Sequence, residues 1–318
     1  MHYPHFIYLI FLLAIPGFCQ FHFHGETLLL EQAQKAHRPI VAVFLTEKNC
    51  PWSEQLQEEI LSSSFFKEKV EQEALVWPVI LGENAEDLSL EKAYGIQQCP
   101  VMLLLDPQGK EFARLAYEGG DPLGVSSQVV SLINGFQEVC KAVDLGLYTL
   151  DEQQLIRVYR QAQPLSQPYF CQAILEVGVQ KESGTFFLLK KYAEILRKCK
   201  LKDPIALKCK QQLLRKDPDN KQGVHFEVAL LDFEKKKMTL KGRGSDEKVL
   251  APLLKYLSRF GKTDTQRVWR IELLIAEFFL SKHALHKALA HATLAYEHAP
   301  ESKKLQLLQT LSYMRGTP

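Results

Sequence analysis

A surplus of charge is the first thing this 318-residue chain lacks: 39 Lys and Arg stand against 37 Asp and Glu, a net of +2. That balance gives no global electrostatic argument for a nucleic-acid partner. The chain has no glycine-rich phosphate loop and no credible serine–histidine–acid arrangement, so nucleotide binding and serine-type acyl transfer lack a sequence basis. Long hydrophobic runs are missing too. The strongest, residues 6–18, is too short to span a bilayer and is broken by Pro16-Gly17. The one local charge bias, ten basic against two acidic residues in 190–216, reads either as a solvated helix face or as a binding patch.

The apolar run at 6–18 has the length of a signal-peptide core, and Gly17-Phe18-Cys19 has the look of a small-residue cleavage site. The residues before it include His2 and His5 but no Lys or Arg, and Phe18 rules out a good lipoprotein box at Cys19. We expect a signal peptide over 1–19 and export to an oxidising compartment such as a periplasm, with no stable membrane span after cleavage. Six cysteines then remain: Cys50, Cys99, Cys140, Cys171, Cys199 and Cys209. Their even number invites disulfides, but a chain this long does not need them. The last four are expected on helices as small hydrophobes, with a Cys199–Cys209 bridge across a helical hairpin as the alternative.

Periodicity divides the mature chain into a domain at 20–146 and a second at 147–318. In the first, helical spacing at Leu29, Ala33 and Ala36 ends at Pro39. A strand follows to Leu45, then helical stretches from Ser53 to about Leu61 and from Phe65 to Val70. Further on come a strand from Ala74 to Leu81, a helix from Leu88 to Tyr94 closed by Gly95, and a strand ending at Leu105. Asp106-Pro-Gln-Gly109 turns the chain into a hairpin partner at Glu111 to Tyr117, and a long helix runs from Val125 to Leu145. This order predicts an α/β domain, a mixed sheet with helices on both faces.

The second domain has no convincing strand pattern. Helical stretches are separated at Gln163-Pro164, Lys202-Asp-Pro204, Asp217-Pro-Asp-Asn220, Lys241-Gly-Arg-Gly244 and Ala299-Pro300. From Trp269 to Ser302, Ala276, Ala288, Ala292, Ala295 and Tyr296 recur at helical spacing, and this stretch resembles a tetratricopeptide helix pair. An all-α helical repeat or a plain bundle both fit.

Cys50-Pro51-Trp52-Ser53 lies between an apolar strand and a helix, so Cys50 meets the unsatisfied N–H groups of a helix start, which favour a thiolate. About fifty residues on, Gln97-Gln98-Cys99-Pro100 leads into Val101-Met-Leu-Leu-Leu105. The two stretches together resemble the bacterial thioredoxin-like, disulfide isomerase family with its second active-site cysteine replaced. Lys35-Ala-His-Arg-Pro-Ile-Val-Ala-Val-Phe, the helix residues Glu59 and Ser64 to Lys67, and Tyr117-Glu-Gly-Gly add to the resemblance, which covers about 120 residues. It implies a thioredoxin fold, a cis peptide at Pro100 facing the active-site sulfur, and Trp52 and Pro100 as substrate-binding positions.

The candidate catalytic positions are Cys50, Ser53 and Cys99, with no metal and no cofactor. Cys50 can form a mixed disulfide, but a hydroxyl at Ser53 without a base cannot release it. Cys99 can resolve the adduct, lock Cys50 in an internal disulfide, or simply fill a tight loop. Two functions follow. One is thiol–disulfide exchange through a single active-site cysteine on cysteine-containing exported proteins; the other is a redox-inactive, chaperone-like binding module. In both, the helical domain takes a protein partner. Trp77 is expected in the core. His283, His286 and His291 are expected on helices as packing or surface residues, and His22 sits in a Phe-His-Phe-His leader that reads as a plain tail or, with the new N-terminus, as a metal chelate.

Overall fold

A computed structural model describes residues 24–46, 50–82, 85–181, 184–240 and 245–315. The expected signal peptide, the His22 leader and the Lys241–Gly244 turn lie outside them. The described chain forms two compact units: residues up to Cys140 with Gln161–Pro168, and Lys141–Arg160 with Tyr169 onward.

The first unit holds α1 (His24–Ala36), β1 (Ile40–Thr46), α2 (Pro51–Gln55), a π-helical continuation (Leu56–Leu61), α3 (Ser64–Glu73), β2 (Leu75–Leu81), α4 (Ala85–Ala93), β3 (Val101–Leu105) and β4 (Glu111–Ala116). Most of α5 (Pro122–Leu145) belongs to it as well. The strand order is β2-β1-β3-β4, with β2 parallel and β3 antiparallel to β1, and β4 antiparallel to β3. Phe44 pairs with Val101 and Ile40 with Leu105. This is a thioredoxin-like sheet, mixed and covered by helices.

Both central strands are apolar along their length, apart from Thr46 at the end of β1, because each is covered on both faces. Ile40, Ala42, Phe44, Leu103 and Leu105 share one core with Ala33 of α1 and Leu90 of α4. Residues one step along point to the opposite face. Pro78 is tolerated in β2 because that strand is an edge. Trp77, expected in the core, is partly buried against this cluster and packs edge-on against Phe44 and Tyr94. At the β3–β4 hairpin, Asp106 Oδ1 accepts the amides of Gln108 and Lys110, both at 2.9 Å. Gly109 takes φ +82°, where a side chain would strain the backbone. On the outer edge, Phe112 of β4 stacks on Phe136 of α5 at 4.0 Å.

The second unit is helical throughout its described elements: most of α6 (Glu152–Ala162) and of α7 (Pro168–Gln180), then α8 (Phe186–Lys198), α9 (Pro204–Lys216), α10 (Val224–Leu240), α11 (Asp246–Phe260), α12 (Val268–Ser281), α13 (Leu285–His298) and α14 (Glu301–Arg315). Ala276, Ala288, Ala292 and Ala295 are all buried, small residues that let α12 and α13 approach closely. Asp217 and Asn220 organise the turn before α10. Asp217 Oδ2 accepts the amides of Gln222 and Val224 at 3.1 and 3.0 Å. Asn220, at φ +57°, accepts the amide of His225 and donates to Tyr256 and Asp264.

Three expectations need correction. Cys199 ends α8 as its cap, and of the four later cysteines only Cys209 is buried. Cys199 and Cys209 are both free thiols, the first of the two readings and not the bridged alternative. His283 is in the α12–α13 turn at φ +56°, where neither glycine nor proline marks the break; His286 and His291 are on α13. His291 Nδ1 lies 2.6 Å from Glu272 Oε2, and its ring stacks on Phe279.

Candidate active site

Cys50 is the residue before α2. Its backbone is extended, Pro51 occupies the first helical position, and the Cys50 carbonyl accepts the amides of Ser53 and Glu54 at 2.9 and 3.1 Å. Proline suits that position because its missing N–H has no helical partner to lose and its fixed φ is already helical. The thiol is half-buried and free. The Ser53 amide, and then the Ser53 hydroxyl, hold its pKa below the ordinary cysteine value, against smaller opposing effects of burial and Glu54. The Cys50 side chain caps no amide with hydrogen-bond geometry, so this preference is an electrostatic one that strengthens as the sulfur ionises.

Ser53 stands where a second cysteine is expected, and its surroundings explain what it does. It is 4 % exposed, and its Oγ accepts the backbone amide of Thr46 at 3.3 Å. The hydroxyl ties the end of β1 to the first turn of α2. Among the described residues no base is bonded to it, and the contact it makes is a fastening one.

The Cys99–Pro100 peptide is cis. Cys99 is a half-buried free thiol whose pKa is raised by burial, by Glu91 and by Cys50 itself. The charge of Cys50 is thus felt at Cys99, and the two thiols are shifted in opposite directions. The Pro100 carbonyl is taken by the Tyr117 amide at 3.3 Å.

Trp52 is 49 % exposed and meets Tyr117 edge-on at 6.4 Å. A Cβ on Gly119 would come within 3.4 Å of the Trp52 ring. Beside them opens a cavity of about 770 Å³, lined among others by Trp52, Gln97, Cys99, Pro100, Arg114 and Tyr117. Arg114 is fixed at its rim by Glu111 and by the carbonyls of Tyr94 and Gly95. The Tyr117 hydroxyl is buried with no hydrogen-bond partner among the described residues, and its pKa is raised by that burial. Of the predicted positions, Trp52, Cys99 and Pro100 line one cavity, while Cys50 is linked to Ser53 through the first turn of α2 and to Cys99 by its charge. Tyr117, Arg114 and Gly119 were missed as site residues. Only the resemblance at Tyr117-Glu-Gly-Gly pointed toward that side. Among the described residues no group of three or more His, Cys, Asp or Glu is placed to hold a metal, and no helix is long and apolar enough to cross a membrane.

Comparison with known proteins bears on both units. A thioredoxin-like domain family matches residues 28–121. The thioredoxin-related protein DsbJ of Chlamydia pneumoniae is 30 % identical over 300 residues, 90 % of this chain and 85 % of that protein. The disulfide bond reductase DsbH of the same organism is 26 % identical over 112 residues, covering 33 % of this chain and 68 % of that one. A solved structure of a DsbH oxidoreductase aligns at 25 % identity and a TM-score of 0.32, covering 36 % of this chain and 84 % of that one. The DsbJ similarity extends well past the 120 residues that carry the sequence resemblance, into the helical unit.

Proposed function

The chain belongs to the thioredoxin-related family represented by DsbJ, and from that premise we propose that it is an exported thiol–disulfide exchange protein acting through Cys50. The observation that carries the reading is the placement of Cys50: half-exposed at a helix start, its thiolate favoured by Ser53, in the electrostatic range of a second thiol that precedes a cis-proline. The Cys50 thiolate attacks one sulfur of a client disulfide, forming a mixed disulfide and expelling the other client sulfur as a thiolate. If that thiolate or another client thiol attacks in turn, the client's bonds are reshuffled and Cys50 returns unchanged. The cavity beside Trp52 and Pro100 supplies room for the client chain.

A second exit is favoured by Cys99. Its thiolate attacks the Cys50 sulfur, making a Cys50–Cys99 disulfide and releasing the client as a dithiol. Two electrons pass from the cysteine pair to the client, and an external dithiol must restore the pair. Ser53 takes no part in either exit. Export rests on the apolar run at 6–18 and the cleavage pattern at Gly17-Phe18-Cys19. The α12–α13 helix pair supports a protein partner for the helical unit.

The deciding experiment uses the reduced protein and a scrambled disulfide client. Wild type forms a transient adduct, Cys50→Ala forms none, and Cys99→Ala accumulates the adduct. Unchanged client exchange by Cys50→Ala defeats the exchange reading and leaves the binding module. Mature protein beginning near Gln20 supports export, whereas intact Met1 on a cytosolic protein defeats it.

A further inference from the structure

A cleft of about 110 Å³ lies within the helical unit, between α9, α10 and α11. Its floor is apolar, built from Leu214, Val228, Ala229 and Phe260. Four charged side chains also line it: Lys210, Lys255, Arg259 and Asp232. The single carboxylate is already used, since Asp232 accepts the Tyr192 hydroxyl at 2.6 Å and pairs with Lys210. Lys255 makes no ion pair among the described residues. Arg259 is held over the Phe260 ring at 4.9 Å and donates to the Pro218 carbonyl, a neutral group that leaves its charge unbalanced. Lys255 and Arg259 stand one turn apart on α11, a spacing at which like charges repel.

His225 adds an independent sign of a missing group. It lines the same cleft, is 8 % exposed, and its Nε2 is buried with no hydrogen-bond partner. Buried polar atoms are nearly always paired, so this orphan among the described residues marks a place for a further hydrogen-bonding group in a cleft that Lys255 and Arg259 also line.

We propose that this cleft binds a carboxylate side chain of an acidic, partly apolar peptide segment in a partner protein. The cations Lys255 and Arg259 meet the carboxylate, and the apolar floor receives the flanking side chain. The volume suits one side-chain group and excludes a nucleotide. The site is independent of Cys50, so it names the chemistry of the helical unit's partner without depending on the exchange reaction.

The test is a peptide array without cysteine, carrying Glu- and Asp-containing sequences with apolar neighbours, their Gln and Asn counterparts, and phosphoserine versions. It is probed with the full chain and with the Lys255→Glu/Arg259→Glu variant, whose two substitutions are on exposed positions. Wild type should select the carboxylate peptides, and the variant should bind them about tenfold more weakly while keeping wild-type alkylation of Cys50. Equal binding to acid and amide peptides, no acid-selective binding, retention by the variant, or stronger selection of phosphoserine would each overturn the proposal. Loss of client exchange in Cys50→Ala with peptide binding intact would separate this site from the reaction.

Discussion

The Ser53 hydroxyl accepts the Thr46 amide at 3.3 Å, tying the end of β1 to the first turn of α2 beside Cys50. Residues 46 and 53 bracket the segment leading to the thiol, so this bond sets where α2 begins relative to the end of β1. Ser53→Ala should keep the fold and lower its stability by about 1 kcal/mol, the usual worth of one such bond. Ser53→Cys should gain dithiol turnover on a small disulfide substrate while losing part of that stability. Urea unfolding and a turnover assay read the two effects separately. A Ser53→Ala protein as stable as wild type would remove the fastening role.

The two thiols should titrate apart. Ser53 lowers the Cys50 pKa, whereas burial, Glu91 and Cys50 raise that of Cys99. Iodoacetamide labelling of the reduced protein, followed by mass spectrometry against pH, should reach half its maximal rate at lower pH for Cys50 than for Cys99. The sign for stability follows. A depressed folded pKa contributes stability above the unfolded value and loses it as the pH falls through the folded value, so Cys50→Ser should flatten a rise of stability with pH. The raised Cys99 pKa works oppositely, its contribution vanishing as the pH rises through the folded value. Simultaneous labelling of both cysteines would contradict the arrangement.

Most of the first unit was legible in the sequence because its signals are local. The apolar run ending at Leu45 became β1, Asp106-Pro-Gln-Gly109 became the hairpin turn, and Pro51 started α2 as proline at a first helical position does. The π-helical stretch after α2 was not legible, since Leu56 and Ile60 are spaced for an ordinary helix and only packing decides the extra residue in the turn. At the site, Cys50 and Cys99 could be named from motif and resemblance, but the partners of Trp52 come from β4 and the loop after it. No spacing rule links Trp52 to Tyr117 or Gly119. In the helical unit the breaks at Lys202-Asp-Pro204, Asp217-Pro-Asp-Asn220 and Ala299-Pro300 were readable, whereas those at Gly184 and Gly261 were not read. The α12–α13 turn carries neither proline nor glycine, because His283 adopts the left-handed conformation itself.

Residues 161–168 should matter to the first unit more than their place in the sequence suggests. The Ser166 amide donates to the Phe112 carbonyl at 2.7 Å, and Gln167 Nε2 donates to the Glu111 carbonyl at 2.9 Å, both on the edge strand β4. An uncovered edge is open to pairing with other chains. A fragment of residues 20–146 should therefore unfold at lower urea and aggregate more readily than one of residues 20–168. Equal midpoints and equal light scattering would show that β4 needs no cover.

Asn220 should be the most sensitive single position in the turn before α10. Its Oδ1 accepts the amides of His225 and Phe226, while Nδ2 donates to Tyr256 at 3.0 Å and Asp264 at 2.8 Å. Its φ of +57° is one that asparagine tolerates better than most residues. Asn220→Ala leaves buried amides and a carboxylate short of partners, and should destabilise the protein by about 2–4 kcal/mol. Asn220→Asp keeps the acceptor oxygen but brings a second carboxylate against Asp264, so its deficit should shrink as the pH falls and the pair takes up a proton. Asn220→Gly accepts the backbone conformation, so its loss reflects the side-chain bonds together with a more flexible unfolded chain. Thermal unfolding of the three variants across pH checks the scheme. An Asn220→Asp deficit that stays constant with pH would mean that the Asp264 carboxylate does not feel position 220.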